Sequence, residues 1–225
     1  MTPPNRRRVR TIERRLRKRF GPLEPPRRTD PLEELILTVL SQHTSDLNAG
    51  RAFEALRDAF PSWEDVVLAK PERVADVIRS GGLANTKAPR IQQILREIRE
   101  RQGRYDLSFL RERSDEEARE YLTSLPGVGP KTAAVVMSFS LGRAAMPVDT
   151  HVHRVSGRLG LIPPKTSADK AHRLLEDLVP PELRTSLHVG LIRLGREICK
   201  AGRPRCEECP LVDLCPTAPL FLGSP

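Results

Sequence analysis

Aromatic side chains make up only 4% of this 225-residue chain, one Trp, two Tyr and six Phe. That leaves few platforms on which the bases of a single strand could stack. No apolar run approaches the roughly 18 residues of a membrane span, so a transmembrane protein is not expected. An apolar stretch of the secretory kind is missing behind the basic N-terminus, and a cytoplasmic, nucleoid-associated location is expected. Period-two alternation is nowhere sustained, which argues against strands. Cysteine is absent from the first 198 residues, so no disulfide framework is expected there.

What is present begins with charge, a formal +9 with an isoelectric point near 9.9. Residues 1 to 28 hold eleven basic side chains (Arg6, Arg7, Arg8, Arg10, Arg14, Arg15, Arg17, Lys18, Arg19, Arg27 and Arg28) against Glu13 and Glu24. The remaining 27 basic and 27 acidic residues cancel. The excess therefore lies on an N-terminal arm, read most simply as a flexible segment that adds salt-sensitive affinity for an anionic partner.

Helical periodicity dominates from residue 31. Leu32, Leu35, Ile36, Val39 and Leu40 trace one face of a helix after Pro31, and Asp46 by type is the cap of the next. Short helices are predicted over 63–69 and 71–78, ended by Gly81 and Gly82. Longer ones follow over 87–101, then from a capping box of Ser114 and Glu117 to Leu122. The remainder read as 132–141, 149–160, 167–178 and 182–200. The fold class is all-α, a bundle of about ten helices with short connections.

All four cysteines stand in the tail, Cys199, Cys206, Cys209 and Cys215, spaced C-x6-C-x2-C-x5-C. With no signal peptide, such crowding favours a metal site over disulfides. Four thiolates suit either tetrahedral zinc, which the spacing alone slightly favours because it is not a ferredoxin spacing, or an iron-sulfur cluster, and in both cases the metal is structural because no coordination position stays open. Residues 184 to 205 carry Arg184, Arg193, Arg196, Lys200, Arg203 and Arg205 against Glu197 alone. A metal would hold that basic loop rigid, with Lys200, Arg203 and Arg205 presented to phosphates.

Residues 125 to 133 read LPGVGPKTA between two apolar helical segments. Gly127 and Gly129 permit backbone conformations closed to other residues, so N–H groups around Val128 can point together at an anion. Pro130 suits the first turn of a helix, whose positive end then faces the same anion; a DNA phosphate is the natural occupant. Lys131 just inside that helix is either a surface cation on the phosphate or a neutral amine able to attack carbon. Eighteen residues on, PVDTH opens another helix. Asp149 there is its N-cap, or also a carboxylate that steadies an oxocarbenium-like transition state while the lysine captures the sugar carbon. His151 and His153, two apart on a helix, point to different sides and are not read as metal ligands.

LPGVGPKTA, VDTHVHRV and C-x6-C-x2-C-x5-C, in this order, resemble the endonuclease III branch of the helix-hairpin-helix DNA glycosylases over about residues 31 to 216. The resemblance implies a two-lobed all-α fold with a C-terminal iron-sulfur cluster loop. Residues 1–30 form the basic arm, 31–143 a six-helix barrel domain with the hairpin, and 144–225, packing with the N-terminal segment, the cluster domain. It implies Lys131 as Schiff-base nucleophile, Asp149 as catalytic carboxylate, and Cys199, Cys206, Cys209 and Cys215 as ligands of a [4Fe-4S] cluster. It also implies two DNA-distorting loops. Gln42 and His43 compete to fill the gap left by an extruded base, and Leu83, with Lys87 nearby, enters the minor groove.

The expected activity is a bifunctional glycosylase and abasic-site lyase that removes oxidised pyrimidines from duplex DNA. Its partner is duplex DNA with damaged or abasic sites, no membrane, and the chain acts as a monomer. The alternatives are a mismatch-specific adenine or thymine glycosylase and a non-catalytic helix-hairpin-helix DNA-binding protein.

Overall fold

A computed structural model describes residues 5–24 and 30–223; Arg27 and Arg28 of the basic segment lie outside them. Among the described residues every regular element is helical, and no helix is long and apolar enough to cross a membrane. Contacts divide the chain into two compact units, one drawing on Met1–Arg27 and Ala144–Pro225, the other on Arg28–Arg143.

The Arg28–Arg143 unit is built around α2 (Pro31–Leu40). Asp30 caps it by accepting from the Leu32 and Glu33 N–H groups, and Pro31 fixes its first turn. Eight of its ten residues are buried, so it is a central helix rather than a surface one. Around it lie α3 (Asp46–Ala59), α4 (Trp63–Leu68), α5 (Pro71–Val77), α6 (Ala84–Gln102), α7 (Asp115–Ser124) and α8 (Pro130–Val135). Buried Ala133 and Ala134 let α8 approach α2 closely. The cap of α3 is Ser45, whose hydroxyl accepts from the Asn48 N–H, and not Asp46, which falls inside the first turn. The Ser114–Glu117 capping box forms with both of its hydrogen bonds. α8 passes into a π-helical turn over Val136–Ser140, shorter in α-helix than the apolar run suggests.

The other unit contains α1 (Arg6–Phe20), α9 (Thr150–Arg158), α10 (Ala168–Leu178), α11 (Arg184–Glu197) and the short α12 (Pro219–Leu222). α1 corrects the flexible-arm expectation for residues 6–20. Val9, Ile12 and Leu16, at helical spacing beneath the arginines, are fully buried in this unit's core. Asn5 caps the helix, and Arg8 donates to the Leu159 and Leu214 carbonyls at 2.6 and 2.7 Å. Burying three large aliphatics contributes about 1.5–3 kcal/mol each, which charge counting does not register. Gly190 of α11 makes the approach possible, since a Cβ there would stand 3.0 Å from Leu16 and 3.1 Å from Leu23.

Candidate nucleic-acid and cluster sites

In the hairpin of the Arg28–Arg143 unit, Leu125 is the C-cap of α7 and the Val128 N–H returns to the Leu125 carbonyl at 3.1 Å. Gly127 lies at φ +70°, a left-handed conformation only glycine adopts without strain, and a Cβ there would also overlap the Arg90 guanidinium. Gly129 does not need to be glycine on that ground. Its φ of −92° is ordinary extended backbone, and its place is that of N-cap to α8 with Pro130 at the first turn. What glycine leaves there is open space, for nothing lies within 4 Å of where its Cβ would be. Neither the Gly127 nor the Gly129 N–H has a backbone acceptor among the described residues, so both are available to an anion at the positive end of α8. Lys131, half-buried on the first turn of α8, stands beside them.

The two turns expected to meet DNA lie in the same unit. His43 is exposed whereas Gln42 is half-buried, and Leu83 is 57% exposed. Both His43 and Leu83 have positive φ, 55° and 50°, although neither is glycine. Leu83 is thereby the left-handed N-cap of α6, which starts at Ala84 rather than at 87. Lys87 does not reach solvent. It is 4% exposed, its Nζ donates to the Leu40 and Gly81 carbonyls, and burial lowers its pKa from the usual lysine value.

In the other unit Asp149 caps α9, Oδ1 accepting from the Val152 N–H at 2.7 Å. The segment before it is held by side chains far along the chain. His172 Nδ1 meets the Met146 carbonyl at 3.1 Å and His188 Nδ1 the Pro147 carbonyl at 2.8 Å. Glu176 accepts the Met146 N–H, and Arg184 donates to the Ala144 carbonyl. None of these four contacts is legible in the sequence, because separations of 26 to 41 residues leave no local trace. His151 and His153 have separate partners: His151 Nδ1 meets Arg154 and His153 Nε2 meets the Thr166 carbonyl.

Cys199, Cys206, Cys209 and Cys215 are unpaired by disulfides and line one apolar cavity with Val155, Leu194, Ile198 and Phe221. Burial raises the thiol pKa values of Cys206 and Cys209, the latter to about 11. Such groups ionise readily only when a metal compensates the thiolate charge. No three His, Cys, Asp or Glu among the described residues are grouped to hold one metal ion. Four thiols around a shared hollow fit a cluster with several irons better than a single zinc.

Arg158, also missed, ties the loop to α9. It donates to Cys199 Sγ at 3.3 Å and to the Lys200 and Ala201 carbonyls, and stacks on Phe221. Arg154 reaches the Cys199 and Gly195 carbonyls from the same helix. Both project from the helix that Asp149 opens, and their spacing of four residues was the available signal. The basic stretch is less uniform than its charge suggests. Arg184 and Arg193 are spent on carbonyls. Lys200, Arg203 and Arg205 are exposed, Lys200 bonded to the Arg196 carbonyl and Arg205 to Glu208 and the Glu197 carbonyl.

Residues 36–181 match the family model of the HhH-GPD superfamily base excision DNA repair proteins, and residues 199–215 match the iron-sulfur binding domain of endonuclease III. Endonuclease III of Thermotoga maritima is 36% identical over 207 residues, 92% of each chain. That of Bacillus subtilis is 38% identical over 83% of this chain and 81% of its own. A trapped endonuclease III–DNA covalent intermediate superposes with a TM-score of 0.85 at 32% identity, over 97% of this chain and 99% of that one. A thermostable thymine-DNA glycosylase gives 0.73 at 25%, over 94% and 95%.

Proposed function

This chain belongs to the HhH-GPD superfamily of base excision DNA repair proteins, and we propose that within it the chain excises oxidised pyrimidines from duplex DNA and nicks the resulting abasic strand through Lys131. It is a DNA glycosylase of the endonuclease III kind with a [4Fe-4S] cluster. Cys199, Cys206, Cys209 and Cys215 hold the cluster, which supplies a rigid cross-link for the C-terminal loop. The hairpin amides of Gly127 and Gly129 seat a phosphate. His43 fills the gap left by the flipped base, since it is the exposed member of its pair, while Leu83 wedges the groove and offsets the stacking lost on extrusion.

The Lys131 amine displaces the base from C1′, and Asp149 steadies the cationic sugar as the bond breaks. Opening of the sugar ring leaves a Schiff base, and loss of a C2′ proton expels the 3′ phosphate. The observation that carries this reading is Lys131 itself, on the first turn of α8 beside the Gly127 and Gly129 amides that have no backbone acceptor among the described residues. Its presence together with the greater likeness to the covalent endonuclease III–DNA complex favours the lyase over a mismatch glycosylase. The protein acts as a monomer where the DNA is.

Borohydride reduction with duplex DNA holding thymine glycol or an abasic site tests this. A covalent protein–DNA adduct is expected, and Lys131→Ala is expected to abolish it; no adduct with the unaltered protein would sink the lyase assignment.

A further inference from the structure

Lys87 has no part in the reaction above, yet its ammonium is almost enclosed. Its Nζ donates to the Leu40 carbonyl at 2.7 Å and the Gly81 carbonyl at 2.8 Å. Burying an ammonium is costly unless it is well hydrogen-bonded, so a lysine held this way calls for a reason. The two carbonyls supply one. Leu40 ends α2 three residues before His43, and Gly81 stands two residues before Leu83. Among the described residues only His43, Leu83 and Lys165 have positive φ without being glycine, and Lys165 belongs to the other unit. The two left-handed residues of this unit are thus the tips of the two turns that Lys87 ties together. Strained backbone of this kind persists only where its surroundings hold it. Gly81 adds to that hold, because a Cβ there would stand 3.1 Å from the Ala52 Cβ.

We propose that Lys87 is a positioning residue that fixes the turns carrying His43 and Leu83 at one spacing, so that both side chains enter a bent duplex together. This rests on the assignment of the two turns as DNA-distorting elements. A methionine would match the length of the side chain and its packing but donate to neither carbonyl. The turns would then move independently, and the duplex would be bound without being opened.

The test uses a duplex with a stable tetrahydrofuran abasic analogue opposite 2-aminopurine, whose fluorescence rises when that base unstacks. Because no bond is made or broken, the reading is independent of the lyase chemistry. At saturating protein the unaltered chain is expected to raise the fluorescence, and Lys87→Met to produce a rise at least threefold smaller while remaining folded by circular dichroism. In parallel, Lys87→Met is expected to form the borohydride adduct on a single-stranded abasic oligonucleotide within twofold of the unaltered protein, since a single strand has no stack to open. An equal fluorescence rise, or loss of the adduct on both single strand and duplex to the same degree, overturns the role. No rise with the unaltered protein overturns the assignment of the turns and this role with it, whereas a rise without any adduct counts against the lyase alone. Should Lys87→Met not fold, Lys87→Leu, which likewise donates to neither carbonyl, replaces it under the same criteria.

Discussion

The Asp149 carboxylate caps α9 through Oδ1, and the role proposed for it in catalysis needs its charge. The two jobs separate by substitution. Asparagine caps a helix about as well as aspartate, so Asp149→Asn is expected to change stability by less than about 0.5 kcal/mol. Asp149→Ala is expected to cost about 1 kcal/mol. Both are expected to slow single-turnover base release by about a hundredfold or more, the scale on which one stabilising group acts on a transition state. Thermal unfolding and rapid-quench assays of the two variants check this; a fast Asp149→Asn would reduce Asp149 to a cap. The positions of Lys131 and Asp149 at the starts of their helices were legible here because their signals are local. A cap precedes its helix and a lysine follows its hairpin. The two hairpin glycines were not separable in this way, since a GxG pattern does not say which glycine bends, and the backbone puts only Gly127 in the left-handed region.

At the scale of elements, the cluster loop and α1 each depend on contacts their own sequence does not advertise. Arg158 holds Cys199 Sγ and two loop carbonyls at once. Arg158→Ala is therefore expected to loosen residues 199–203 without unfolding the unit. Quicker proteolysis in that loop and quicker loss of visible absorbance in air would show it, and unchanged rates of both would count against the tie. For α1, Leu16→Ala removes a fully buried side chain from the core of the cluster-bearing unit and is expected to cost about 2–5 kcal/mol in denaturant unfolding. A cost below about 0.5 kcal/mol would restore the detached-arm reading. The stripe of Val9, Ile12 and Leu16 is present in the sequence, but the eight arginines and one lysine along the same helix make its charge a louder signal than its period.

For the whole molecule, the charge takes a different place. The arginines of residues 6–20 are displayed on a folded helix, not on a tether, and some are spent on its docking: Arg8 on two carbonyls, Arg15 on Asp213, Arg10 on Glu182. Arg6, Arg7, Arg14 and Lys18 stay exposed. Changing these four to Gln is expected to flatten the dependence of log K on log salt for duplex DNA by about one to three, at roughly 0.9 for each phosphate that is no longer neutralised. Adduct formation at saturating protein should be unaffected. A salt slope unchanged within error would show that this face does not meet DNA.

The sequence by itself determined the all-α class, the hairpin with its lysine, the capping aspartate and the four-cysteine spacing. Each is a pattern within a few residues, where bond geometry and side-chain period act without help from the rest of the chain. Tertiary structure decided what no local pattern could. It buried Lys87 between two carbonyls, made His43 rather than Gln42 the exposed residue, set His172 and His188 behind the segment that leads to Asp149, and drew a strongly basic N-terminal helix into a core. Those outcomes follow from which surfaces meet, and the free energy of burial depends on partners that lie tens of residues away.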